Sequence, residues 1–138
     1  MNKKEVSQRV LKDGKPLPID KFIWDETTNT FSSIEPDLVL DFNEVNNCTF
    51  NTRSNCTFNT RSNCTFKTGH YCTFKTGPYC TFDTGYSCTF DTGPYCTFDT
   101  GEECVVVRRD VYEIIELDGS IVIKLNEYEV KGFTVINE

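Results

Sequence analysis

The sequence predicts an all-β chain, a two-sided β-solenoid (β-helix) with sixteen residues, or two octads, per coil and β-hairpins capping both ends. Three observations predict it. First, a cysteine returns every eight residues, at Cys48, Cys56, Cys64, Cys72, Cys80, Cys88, Cys96 and Cys104. The seven units between them read Cys-Thr-Phe-x-Thr-(Gly or Arg)-x-x, and self-similarity at a short fixed period marks a stacked repeat. Second, Cys-Thr-Phe-x alternates in the strand period of two, so Cys and Phe face one way and Thr and the variable fourth residue the other. Third, Pro78-Tyr79 recurs as Pro94-Tyr95 sixteen residues on, and the fourth position changes every two units: Asn51, Asn59, Lys67, Lys75, Asp83, Asp91, Asp99. Two octads per coil stack Lys67 on Asp83 and Lys75 on Asp91 at about 4.8 Å, which offsets like-charge ladders. A triangular coil of three octads is the alternative, and the Pro-Tyr recurrence speaks against it.

The chain divides into an N-terminal hairpin cap (1–39), the solenoid (40–111) and a C-terminal β cap (112–138), one structural domain overall. In the first cap, Gln8 to Leu11, Asp13-Gly14 and Lys15 to Leu17 read as strand, turn and return. A second hairpin is expected from Phe22-Ile23-Trp24, a polar Glu26 to Asn29 turn and Thr30-Phe31, with Trp24 anchoring the cap. Leu40 to Asn47 aligns as a degenerate octad with Cys48 to Asn55, apolar on apolar and Phe42 on Phe50. The core ladders are the eight cysteines with Phe50, Phe58, Phe66, Phe74, Phe82, Phe90 and Phe98. Thr-Gly-x-x forms the corner, with Gly69, Gly77, Gly85, Gly93 and Gly101 expected at positive φ. Arg53 and Arg61 replace that glycine at a cost on the order of 1 kcal/mol each if the conformation is kept. Cys104-Val105-Val106-Val107 continues the strand and Tyr112-Glu113-Ile114 reads as one further unit. Leu117-Asp118-Gly119-Ser120 then reads as a hairpin turn between Val111 to Leu117 and Ile121 to Leu125, before strand-like Tyr128 to Val130 and Phe133 to Ile136.

A formal charge of −7 and a pI near 4.7 argue against a nucleic-acid binder, which needs a basic surface. Met1 to Val10 lacks the apolar run of a secretory signal, and no stretch approaches the ~20 apolar residues of a membrane span. A cytoplasmic protein with no membrane partner is expected. In that compartment the cysteines read as buried free thiols acting as small apolar residues. Disulfides and metal are the alternatives. One cysteine per eight residues misses the zinc templates, and ladder neighbours at roughly 4.8 Å exceed the Cβ separation of a disulfide. No metal and no cofactor are expected.

Several motifs resemble chemistry. Phe-Asp-Thr-Gly occurs at Asp83, Asp91 and Asp99, but aspartic-protease chemistry needs two carboxylates sharing a proton, and Lys67, Lys75, Asn51 and Asn59 fill the same slot. Asp83 stacked on Asp99 falls short of the roughly six to eight oxygens of a Ca²⁺ site. Asn47, Asn55 and Asn63 open formal N-glycosylation sequons, which have no meaning without secretion. His70, the lone histidine, is read as corner filler. Tyr71, Tyr79, Tyr86 and Tyr95 occupy corners, either as an exposed aromatic interaction stripe or as shields of the next coil.

The Cys-Thr-Phe-x-Thr-Gly octads from Cys48 to about Glu103, with the closing Cys104-Val105-Val106-Val107-Arg108-Arg109-Asp110, resemble the octapeptide-repeat proteins of large DNA viruses, phages and bacteria. That resemblance implies a repeat fold, no catalytic residue, and a location in the host cytoplasm or, if viral, the virion. The two-octad coil is also similar to ice-nucleation proteins, but Asn, Lys or Asp stands where an ice-matching array repeats Thr. The expected function is a non-enzymatic structural or interaction module, a short rigid rod engaging a protein partner or itself. An acidic inhibitor or nucleic-acid mimic binding a basic partner is the alternative, and an ice-binding surface a weaker one. Basic residues in the earlier coils and acidic ones in the later coils add an axial charge gradient.

Overall fold

The structure, a computed structural model, describes residues 1–136. Among the described residues one α-helix, α1 (Lys3–Arg9), precedes sixteen strands, and a short 3-10 helix (Ile19–Lys21) lies between the second and third of them. The N-terminal cap contributes β1 (Val10–Lys12), β2 (Lys15–Pro16) and β3 (Ile23–Asp25). The repeats follow as β4 (Thr30–Ser32), β5 (Leu38–Asp41), β6 (Thr49–Asn51), β7 (Thr57–Asn59), β8 (Thr65–Lys67), β9 (Thr73–Lys75), β10 (Thr81–Asp83), β11 (Thr89–Thr92), β12 (Thr97–Asp99) and β13 (Cys104–Arg108). The C-terminal cap adds β14 (Glu113–Leu117), β15 (Val122–Leu125) and β16 (Phe133–Ile136).

The strands form two eight-stranded sheets, β14-β13-β11-β9-β7-β5-β1-β2 and β16-β15-β12-β10-β8-β6-β4-β3, and from β4 to β13 successive strands alternate between them. From β6 to β13 all pairing is parallel with partners sixteen residues apart: Thr65 with Thr81, Phe66 with Phe82, Lys67 with Asp83, and Lys75 with Asp91. The protein is therefore a β-solenoid of about five turns with two octads per coil. Corners hydrogen-bond like strands, for example Thr68 N to Asp83 O at 3.0 Å and Gly77 N to Arg61 O at 2.7 Å, so backbone pairing continues around the coil.

The core is a zipper of rings. Within each sheet the phenylalanines stack face to face, Phe58 on Phe74 and Phe74 on Phe90 with centroids 4.9 Å apart and planes within 3–4°. Between sheets they meet edge to face, Phe66 against Phe74 at 5.1 Å and 74°. Offset stacking and T-shaped contact both suit the ring quadrupole, so one side-chain type fills the interior in both directions.

Several local expectations are corrected. The turn glycines are not the left-handed residues. Positive φ falls on the residue before each cysteine, Asn47, Asn55, Asn63, Tyr71, Tyr79, Ser87, Tyr95 and Glu103, at 55–62°. Glycine is instead needed for close approach: a Cβ on Gly77 would lie 2.9 Å from Arg61 O, and one on Gly101 would lie 2.8 Å from Tyr86 N. Arg53 and Arg61 accordingly carry no left-handed penalty. Leu40 pairs with Phe58, not with a cysteine, and Val39 with Thr57, so Leu38 takes the cysteine place. Parallel pairing reaches back to Phe31, which stands level with Phe50.

At the N-terminus, Gln8 and Arg9 belong to α1 and not to a strand. Asn2 and Glu5 close a capping box, Asn2 Oδ1 accepting from Glu5 N at 2.9 Å and Glu5 Oε1 from Asn2 N at 3.1 Å. Trp24 fixes this end by donating from Nε1 to Met1 O at 2.8 Å while its ring packs near Phe42. At the other end Tyr112-Glu113-Ile114 is no further coil, because β14 turns back antiparallel on β13. Leu117 to Ser120 is not a hairpin turn either. It carries the chain from one sheet to the other, where β15 pairs antiparallel with β12 and with β16. Arg109 ties the last coil down, donating from Nη1 to both Asp91 O and Asp91 Oδ1 at 2.9 Å and from Nη2 to Thr76 O.

Candidate interaction surfaces

All eight cysteines are free thiols and buried. They run in two columns, one per sheet, and do more than fill space. From Cys64 onward each Sγ reaches the corner carbonyl nineteen residues earlier: Cys72 to Arg53 O at 3.5 Å, Cys80 to Arg61 O at 3.5 Å, Cys96 to Gly77 O at 3.4 Å, Cys104 to Gly85 O at 3.5 Å. A thiol is a weak donor small enough for this place, which explains cysteine where alanine would fit but could not donate. Burial, with the neighbouring Cys64 adding to it, pushes the Cys48 thiol up to about 11. Contact with Cys72 and then burial raise Cys56, and contact with Cys80 and then burial raise Cys64. These are protonated, inward groups.

The fifth-position threonines also turn in. Thr92 is fully buried and Thr76 nearly so, and the Thr76, Thr84 and Thr100 hydroxyls donate to the next glycine carbonyl at 3.2–3.3 Å. The Asp-Thr-Gly carboxylates do not converge. Asp83 and Asp99 stand in register on the outer face of one sheet, while Asp91 lies on the other and pairs with Arg109. Among the described residues no group of three or more His, Cys, Asp or Glu side chains is placed to hold a metal ion. The three sequon asparagines have a conformational explanation, since each occupies the left-handed slot that asparagine tolerates well.

The four tyrosines form two edges. Corners after one sheet carry His70, Tyr71 and Tyr86: His70 stacks on Tyr86 with centroids 3.8 Å apart, its Nδ1 accepts from Tyr86 N at 3.2 Å, and Tyr71 meets the same ring edge-on. Corners after the other carry Tyr79 and Tyr95, stacked at 4.7 Å and 6°, with Tyr128 edge-on to Tyr95. Tyr71, Tyr79 and Tyr86 remain about half exposed. Each edge thus shields the coil beneath it and presents a short aromatic row.

Two grooves lie at opposite ends. One, of about 780 Å³, runs along the corner of β3, β4, β6 and β8 and is lined by Lys21, Arg53, Lys67 and His70 with Ile23 and Ile34. The other, of about 590 Å³, lies by Glu103, Glu116, Asp118, Leu117 and Phe133. Charge follows the same division. Residues 1–79 carry ten of the fourteen Lys and Arg and nine of the twenty-one Asp and Glu, a formal +1, which leaves −8 on residues 80–138. No helix among the described residues is long and apolar enough to cross a membrane. No family matches the chain, and no curated protein or solved structure matches it.

Proposed function

We propose that the chain is a non-enzymatic interaction module, a short rigid β-solenoid that offers corners and grooves to a protein partner. One observation carries the reading: the side-chain types that most often do chemistry are either turned into the core, as the eight thiols are, or dispersed, as Asp83 and Asp91 are on opposite sheets. What faces solvent is regular, held coil to coil by backbone hydrogen bonds and therefore preorganised, which lowers the entropy cost of binding. The resemblance to octapeptide-repeat proteins of viruses, phages and bacteria, and a cytoplasmic or virion location, belong to this reading as further proposals.

The −8 charge of residues 80–138 favours a second reading, an acidic face that mimics a polyanion toward a basic partner. Affinity capture from cells that make the protein separates the two. A partner kept at high salt through the corners supports the module; a basic partner released by salt supports the mimic. Turnover of a substrate by the purified protein, abolished by substitution of Asp83 or Asp99, would overturn both.

A further inference from the structure

At the N-terminal end the sequence departs from its later repeats on both sheets, and on one of them the departing residues line a groove. At the sixth place of the octad, later units hold Gly69, Gly77, Gly85, Gly93 and Gly101, but this corner holds Arg53. At the fourth place along the same sheet, β10 and β12 carry Asp83 and Asp99, but the groove strand β8 carries Lys67. At the seventh place it has His70 where the next coil has Tyr86. Arg53 can stand here because the coil below differs. Within the regular stack a Cβ at Gly69 would lie 2.5 Å from Ser54 Oγ, whereas the step from Phe31 to Phe50 spans nineteen residues instead of sixteen. Lys21 from the cap adds a third cation, and Asp20 is the single acid in the lining. The ion pairs among the described residues involve none of Lys21, Arg53 and Lys67. Beside these charges Ile23 and Ile34 are 69% and 74% exposed, an unusual state for isoleucine.

From these features we infer that this groove binds a short acidic peptide segment carrying an apolar side chain. The inference rests on the reading of the protein as an interaction module and names the class of its partner. Four strand levels, β3 to β8, span roughly 14 Å, the length of about four extended residues. Cations at the levels of Lys21, Arg53 and Lys67 then match carboxylates at the ends and middle of such a segment, and the two isoleucines take its apolar side chain. Asp83 bounds the site on the far side and repels any longer acidic run. In a chain of net charge −7, three cations at one end steer an acidic ligand to that end alone.

The repeat supplies substitutions that its fold already tolerates. Arg53→Gly installs the residue of Gly69, and Lys67→Asp installs that of Asp83. Binding of a fluorescein-labelled Glu-Glu-Leu-Glu-Leu-Glu peptide is read by anisotropy, with Lys75→Asp, the same change on the opposite sheet, as control. The double variant is expected to weaken binding by about tenfold or more while Lys75→Asp shifts it by less than about twofold. Equal weakening by the control, no binding by the parent, or equal binding of an all-Glu peptide would overturn the inference. So would displacement by a single-stranded oligonucleotide at equal concentration, or peptide-reversible self-association, which would make a second copy the occupant. If the parent and the groove double variant retain the same cellular partner, the module reading stands and the groove assignment fails.

Discussion

Arg108 and Asp110 form a two-pronged ion pair with the guanidinium wholly out of solvent, Nε 3.1 Å from Oδ1 and Nη2 2.6 Å from Oδ2. Nη1 also donates to Val130 O and Nη2 to Glu127 O, while Asp110 Oδ2 also accepts from Glu129 N at 3.1 Å. Each nitrogen of the buried guanidinium thus has a partner, and the clasp pins the loop between β15 and β16 across the last coil. Arg108→Met leaves Asp110 without its partner, and Asp110→Leu strands a buried guanidinium. Either single substitution is expected to lower stability by on the order of 3–5 kcal/mol, and the pair together by clearly less than the sum. Additive losses in urea melts would show that the two residues do not act as a unit.

The same clasp makes the protein acid-sensitive. Burial works against ionisation of Asp110, but the Arg108 side chain and the Glu129 N–H hold its carboxyl below the usual range. A depressed folded-state pKa means that the stabilisation is present above the unfolded value, near 3.9, and is lost as pH falls through the folded value. The melting temperature is expected to fall below about pH 4, and the acid limb of the profile should flatten in an Arg108→Met/Asp110→Leu variant. An unchanged acid limb in that variant would place the sensitivity elsewhere.

The buried Cys48 thiol sets an alkaline limit. Burial raises the folded-state pKa of Cys48 above its unfolded value, near 8.5–9, so its stabilisation is complete below that pH and is lost as pH rises through about 11. Thiolate absorbance should therefore appear together with loss of the circular-dichroism signal. In denaturant without reductant, titration is expected to find eight free thiols. Four or fewer free groups would contradict the ladder.

Gly77 tests the corner packing. A Cβ there meets backbone at 2.9 Å, so Gly77→Ala is expected to cost about 1–3 kcal/mol although φ is not positive. Arg53→Gly, which adds only backbone freedom, is expected to cost no more than about 1 kcal/mol. Thermal melts giving the opposite order would return the corner to a conformational explanation.

The two-octad coil was legible because Pro78-Tyr79 and the change from Lys67 to Asp83 carry a sixteen-residue signal that the cysteines, with their eight-residue period, do not. The register of the first coil was not. Leu38-Val39-Leu40-Asp41-Phe42 alternates in period two, so pairings offset by two residues bury equally apolar sets and the pattern cannot choose between them. Helix α1 is signalled by Asn2-Lys3-Lys4-Glu5, a capping box, but its seven residues are too short to show a periodic apolar face. The corner glycines have two physical explanations, positive φ and close approach, and only the neighbouring coil separates them. Arg108, an arginine in a terminal Val-Val-Arg-Arg-Asp run, reads as exposed until the β14 reversal and the 127–130 loop close over it. The groove leaves its trace in Arg53 in place of glycine and Lys67 in place of aspartate, which composition alone does not assign to a site.

The central claim is the sixteen-residue coil, and scalar couplings across hydrogen bonds measure it directly in the ¹⁵N,¹³C-labelled protein. The backbone places Thr73 N on Cys56 O, Thr81 N on Cys64 O and Thr89 N on Cys72 O, each at 3.0 Å. Correlations from each of these amides to the carbonyl seventeen residues earlier are the expected result. A correlation from the Thr81 amide to the Cys56 carbonyl, one octad further back, would establish a three-octad coil and contradict the account.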